Sequence, residues 1–341
     1  MLNGKHILIE NCPGMGDLIM CTPAFKRLKE LYPDCVLSVV SYAHNLDIIA
    51  GLPYIDHVYG IAKGKFLGHF RPALHFRKQD YVIFTSWQPQ LARMAQLLRV
   101  PHRAGVCKEK YRGTGLFHRE LPMHDFRDTK YRADFITEQI SLALGVDLSN
   151  DGVCEVAQPD EESRRKIEQL LEGKGVNTKR QYAVIAPFAK TERSIPEPLL
   201  LETIRYITDG CGLLCVIIHS QKTYLTKKCT SLTNVYDLSG ETDIKGMTAM
   251  LAGAVFTVAV DSGPMHVSAA IGTPTISIFS SGNHRAWNPR RNCSLVTLDK
   301  DCSPCNRDTA EKCLEKICIY DIKGSMIKNK INNILHNGNL C

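Results

Sequence analysis

With 341 residues, 44% of them hydrophobic, the chain has apolar material for two globular domains of ordinary size. Residues 1–14 hold one short apolar run broken by Glu10 and Asn11, which excludes a signal-peptide core or a spanning helix there and reads as cytoplasmic. The 14 cysteines, mostly single and set in apolar segments such as those of Cys21, Cys211, Cys215 and Cys229, read as small buried hydrophobes, not a disulfide framework. The net charge of +7 is unevenly placed: between positions 61 and 132, fifteen Lys or Arg face five Asp or Glu. Such an excess is either a solvated basic face or a surface for an anionic partner. No helix-turn-helix, RNP, KH or zinc-finger pattern accompanies it, so nucleic acid is not expected.

In chain order, His6–Glu10 reads as a buried strand, 11–16 as a glycine-rich turn, and 17–31 as a helix with apolar residues at helical spacing. A strand at 36–41 follows, then a strand at 81–85, a helix at 91–98, a short strand end at 103–106 and a helix at 131–144 stopped by Gly145. The pattern lapses over 150–159, resumes with an amphipathic helix at 161–171, and lapses again at 173–180. The second half repeats the alternation: strand Tyr182–Ala186, helix 197–208, strand 213–219, helix 224–232, helix Ile244–Gly253, strand 255–260, helix 261–271 and strand Thr275–Phe279. This predicts an α/β protein of two doubly wound, Rossmann-like domains with ligands in a cleft at the strands' carboxyl ends. The expected division is 1–165, 166–325 with a Cys-rich tail, and a last helix or tail over 326–341.

Two turns carry chemistry. Cys12-Pro13-Gly14-Met15-Gly16-Asp17 contains G-x-G, but the third glycine of a dinucleotide fingerprint is replaced by Ile19, which argues against a nicotinamide oxidoreductase. Asp17 at the start of the next helix, after a glycine turn, suits an N-cap. Asp261-Ser262-Gly263-Pro264-Met265-His266 passes from a strand into a helix, where first-turn N–H groups without intrahelical partners and the helix dipole attract phosphate. An ordinary crossover with a packed histidine fits the same pattern.

The segments ILIENCPGMGDLIMCTPAFKRLKELYP and DSGPMHVSAAIGTPTISIFSSG resemble the ADP-heptose:lipopolysaccharide heptosyltransferases, glycosyltransferase family 9. The resemblance implies the two-Rossmann GT-B architecture and inverting transfer of heptose from ADP-heptose to a lipopolysaccharide inner-core acceptor. It implies Asp17 as catalytic base, with Gly14 and Gly16 allowing close approach of acceptor and donor. Lys190, Thr191, Arg193, Asp261, Ser262, Gly263 and His266 are the implied donor-binding residues. Arg103-Ala104-Gly105-Val106 resembles the family's R-x-G segment, and Arg103, Lys108, Lys110 and Arg112 are the implied acceptor-binding residues. Two departures stand out: Ile195 replaces a tryptophan, and Ser220-Gln221-Lys222 lies where the family often has an acid for the ribose. A GT-B transferase or epimerase using another nucleotide sugar, or a silent glycolipid-binding relative, are the alternatives.

Cys302, Cys305, Cys313 and Cys318 have spacing that suits either a structural zinc or iron ion held by four thiolates or a reduced, buried cluster. No cofactor is expected for catalysis itself. The partners expected from the resemblance are ADP-heptose and an anionic glycolipid, with peripheral contact at the cytoplasmic face of the inner membrane.

Overall fold

The computed structural model describes residues 2–62, 74–125, 127–176, 180–189, 193–305 and 307–337. It divides into two units, 1–125 with 130–157, and 126–129 with 158–341. The helix Glu161–Gly173, which the expected boundary at 165/166 would cut, packs on Ile244–Gly253 in the second unit.

Six parallel strands are described in each unit. In the first they are β1 (His6–Glu10), β2 (Val36–Tyr42), β3 (His57–Ile61), β4 (Tyr81–Phe84), β5 (His102–Val106) and β6 (Arg119–Leu121), ordered β3-β2-β1-β4-β5-β6. The second has β7 (Tyr182–Ala186), β8 (Leu214–Ile217), β9 (Val235–Asp237), β10 (Thr257–Val260), β11 (Thr275–Phe279) and β12 (Cys293–Thr297), ordered β12-β11-β10-β7-β8-β9. Each unit's first strand therefore pairs with its second and fourth, so the winding reverses at β1/β4 and at β7/β10. In open α/β sheets ligands bind at the carboxyl ends of strands flanking that reversal. The loops there begin at Asn11 and Thr85 in one unit and at Pro187 and Asp261 in the other.

The inner strands β1, β2, β4, β7, β8, β10 and β11 are buried on both faces, which is why they read as short apolar runs without alternation. The first core gathers Leu8, Val40, Val82 and Phe84 beneath Leu91 and Ala95 of the helix Pro89–Leu97. In the second, Ile185, Ile217, Val258 and Ile276 meet Ile327, Ile331 and Ile334, spaced to line one face of the helix Gly324–Asn337.

Several expected elements differ. The single helix at 17–31 is two, Met15–Ile19 and Thr22–Leu31: Pro23 in the second helix's first turn donates no N–H, and Thr22 Oγ1 donates to Ile19 O at 2.7 Å across the break. The helix at 197–208 ends at Arg205 and widens into a π-turn, Tyr206–Gly210. The edge strands β3, β6, β9 and β12 carry polar residues within runs of three to five, too little periodicity to mark a strand.

Candidate active site

In the first unit, the turn after β1 enters the helix Met15–Ile19 with Gly14 as N-cap, so Asp17 lies within the first turn and is not the cap. Arg132, at the start of the helix Arg132–Leu144, brings Nη2 to 3.6 Å from Asp17 Oδ1. The arginine side chain is 8% exposed and the aspartate 19%, so the cation is the deeper partner. Gly14 has extended backbone (φ −169°), and a Cβ there would meet only Asp17 Oδ2 at an ordinary 3.6 Å. Its lack of a side chain leaves space beside the carboxylate.

Below this turn lies a group that sequence reasoning missed. Glu10, the last residue of β1, is fully buried. Its carboxyl accepts from Ser86 Oγ at 2.7 Å and from Ser86 N–H at 3.3 Å. Burial pushes it up to about 7, against the pull of hydrogen bonds with Cys12 and Ser86. Thr85 Oγ1 donates to Glu10 O and accepts from Asn11 Nδ2, stitching the loops after β1 and β4 together. A lone acidic residue closing an apolar strand was the available signal.

The basic segment after β5 separates into two roles. Arg103, expected to meet the acceptor, instead turns inward and is 8% exposed. Its guanidinium donates to Val100 O at 2.8 Å, Leu116 O at 3.1 Å and Gly115 O at 3.2 Å, so it fixes the loop. Lys108, Lys110 and Arg112 are exposed, and Arg112 lies 3.6 Å from Glu120. Gly105 is required by packing: a Cβ there would lie 2.6 Å from the Phe117 ring.

In the second unit, β10 passes through Asp261 and Ser262 into the helix Gly263–Ile271, which stops at the left-handed Gly272. Ser262 is the N-cap, but its hydroxyl donates back to Val260 O at 3.0 Å and caps nothing. Gly263 has no positive φ, so no unusual backbone demands glycine there. His266 is 4% exposed, its Nδ1 lacks a hydrogen-bond partner, and its ring meets Trp287 edge-on at 6.2 Å. Burial pulls it down to about 4, so it is neutral at pH 7 and offers a diphosphate no charge.

Asp261 was expected on the donor and is found gripping Arg193, with Arg193 Nη1 2.5 Å from Asp261 Oδ2. Here the carboxylate is the deeper partner, 10% exposed against 27% for the arginine. Burial raises the Asp261 carboxyl although the guanidinium opposes it. Gly282 permits the pair: a Cβ there would sit 2.6 Å from Asp261 Oδ2 and 3.4 Å from Arg193 Nη1. Lys190 and Thr191, the other expected residues of this loop, lie outside the described residues. Ile195, standing where the family has tryptophan, is 1% exposed in the core. Past the ends of β7 and β8, Phe188 and His219 place their rings 4.9 Å apart, a pair not anticipated. At the corner lacking the expected acid, Glu241 arrives from after β9 and binds Lys174 at 2.9 Å and Lys222 at 2.6 Å.

The Cys-rich segment packs on the loop after β11: Cys305 N–H donates to Ser281 O at 2.9 Å and Ser303 Oγ to Ser280 O at 3.3 Å. Cys302, Cys313 and Cys318 lie close enough to Cys305 for their charges to be felt mutually. As they stand, no group of three or more His, Cys, Asp or Glu among the described residues is placed to hold a metal ion.

The model of glycosyltransferase family 9 (heptosyltransferase) matches residues 73–315. Lipooligosaccharide heptosyltransferase 2 of Campylobacter jejuni is 32% identical over 335 residues, covering 96% of this chain and 97% of that protein. Among solved structures, the glycosyl transferase family 9 protein of Veillonella parvula aligns with a TM-score of 0.82 at 18% identity, over 99% of both chains. The ADP-heptose lps heptosyltransferase II of E. coli aligns with a TM-score of 0.74 at 16% identity, over 97% of this chain and 98% of that one. These structures share the fold, which is GT-B-like.

Proposed function

Because the chain belongs to glycosyltransferase family 9 (heptosyltransferase), we propose that it transfers heptose from ADP-heptose, with inversion, to the inner core of an anionic lipopolysaccharide or lipooligosaccharide. The observation that carries the mechanism is the Asp17 carboxylate, held by a more deeply buried Arg132 at the carboxyl edge of β1. The acceptor hydroxyl gives its proton to Asp17 while its oxygen attacks C1 of the heptose. The bond from C1 to the diphosphate oxygen breaks on the opposite face, and ADP leaves with that electron pair. One base suffices; a second carboxylate nucleophile belongs to retaining chemistry.

Charge developing on the departing diphosphate is met by Arg193, whose guanidinium Asp261 fixes, and by N–H groups opening the helix Gly263–Ile271. Asp261 is thus a positioning residue, since an anion facing phosphate would oppose binding. Neutral His266 and Ser262 shape the same turn. No step runs through a metal. No described helix is long and apolar enough to cross a membrane, and contact with a lipid surface is proposed through the acceptor.

The test is incubation with ADP-heptose, GDP-sugars and UDP-sugars in parallel against truncated core glycolipids, followed by mass spectrometry. A mass gain of one heptose from ADP-heptose alone is expected. Transfer from a UDP- or GDP-sugar, or none from any donor, overturns the assignment.

A further inference from the structure

The loops after β4 and β5 bring Trp87, Arg93 and Tyr111, which have no role above, beside Lys110, which the family resemblance already implies on the acceptor side. Trp87, three residues past β4, sets its ring 4.9 Å from that of Tyr111, tilted by 40°. Tyr111 ends the turn Glu109–Tyr111 beyond β5. Two cations flank its ring, Lys110 Nζ at 5.1 Å and the Arg93 guanidinium at 6.0 Å from the centroid. Both aromatics are partly exposed and both cations exposed. Neither cation pairs with a carboxylate among the described residues.

This cluster is fixed from beneath and from the side. Glu10 holds Ser86, the neighbour of Trp87, through both its N–H and its hydroxyl. Arg103 clamps Gly115 and Leu116, and Gln96, from the same helix as Arg93, donates to Gly115 O at 3.1 Å. Thr114 Oγ1 donates to Tyr111 O at 2.7 Å, closing the turn. A partly exposed aromatic pair rimmed by two exposed cations that make no ion pair leaves both ring surface and charged donors available to a ligand. Its faces suit the C–H face of a sugar ring, and its rim suits phosphate or carboxylate oxygens.

We propose that Trp87, Tyr111, Arg93 and Lys110 form a recognition subsite for a phosphorylated sugar of the acceptor, on the same carboxyl edge of the first sheet as Asp17. The proposal rests on the acceptor reading above and adds what the acceptor must carry. The rings select for a sugar, and the two cations select for its phosphate.

The chain has two tryptophans, so Trp287→Phe leaves Trp87 as the sole reporter of fluorescence. In that background, delipidated core oligosaccharide is titrated in its phosphorylated and phosphatase-treated forms, without donor. Saturable change in Trp87 emission is expected, tighter with the phosphorylated form. Arg93→Ala with Lys110→Ala should weaken the phosphorylated form by roughly tenfold and leave the other within about threefold. Tyr111→Ala should weaken both, and Tyr111→Phe neither. An absent Trp87 response, or affinities unchanged in the cation and Tyr111→Ala variants, overturns the subsite. Failure of the wild-type protein to use ADP-heptose overturns the function instead, so the two failures are told apart.

Discussion

Each unit places an aspartate and an arginine together at the carboxyl edge of its sheet, and the two pairs are buried in opposite senses. In Asp17–Arg132 the arginine is 8% exposed and the aspartate 19%; in Asp261–Arg193 the aspartate is 10% exposed and the arginine 27%. The deeper member anchors and the shallower one is offered to a ligand. The first unit therefore presents a carboxylate, suited to taking a proton, and the second a guanidinium, suited to a departing diphosphate. On the proposed function, the same two residue types serve opposite chemistry because burial decides which one faces outward.

The largest effect is expected where the offered group does chemistry. Asp17→Asn preserves shape and removes the proton acceptor, so turnover should fall by roughly 10²- to 10⁴-fold with the fold intact. Steady-state rates with ADP-heptose and a core acceptor check this, and a variant within a few-fold of the parent removes Asp17 from the reaction.

Much of this contrast could be read from the chain, though not its sense. The strands His6–Glu10, Tyr182–Ala186 and Thr275–Phe279 were legible because both-face burial demands compact apolar runs. The turns at Asp17 and at Ser262–His266 were legible because glycines and a helix start leave a pattern. Which partner a charged residue would find was not. Arg103 lies in a segment rich in exposed cations, and only the fold shows its donors spent on three carbonyls. Asp261 lies beside the turn proposed to bind phosphate, and only the approach of Arg193, 68 positions away in sequence, shows it paired with a guanidinium. Glu10 escaped notice because a single acid ending a strand carries no periodicity.

Glu10 sharpens the comparison, since it is a buried acid near the first turn whose described partners include no guanidinium such as the one that compensates Asp261. With Glu10 at about 7 when folded, against an ordinary value of 4.5, the native state holds a proton that the unfolded chain releases between those values. Stability from this group is therefore greatest below about pH 4.5 and declines as pH rises through 7, by on the order of 3 kcal/mol in total. Glu10→Gln should flatten that decline. Urea unfolding of both proteins at pH 5 and pH 8 measures it, and the same pH dependence in the two would contradict the assignment.

Calorimetric titration of ADP into the wild-type protein, Asp17→Asn and Arg193→Gln tests the opposed senses of the two pairs most directly. The account predicts that Arg193→Gln weakens ADP by roughly tenfold or more, as expected for loss of a charge-assisted contact, while Asp17→Asn binds as the parent does. Equal losses in both variants, or parental affinity in a folded Arg193→Gln protein, would contradict it.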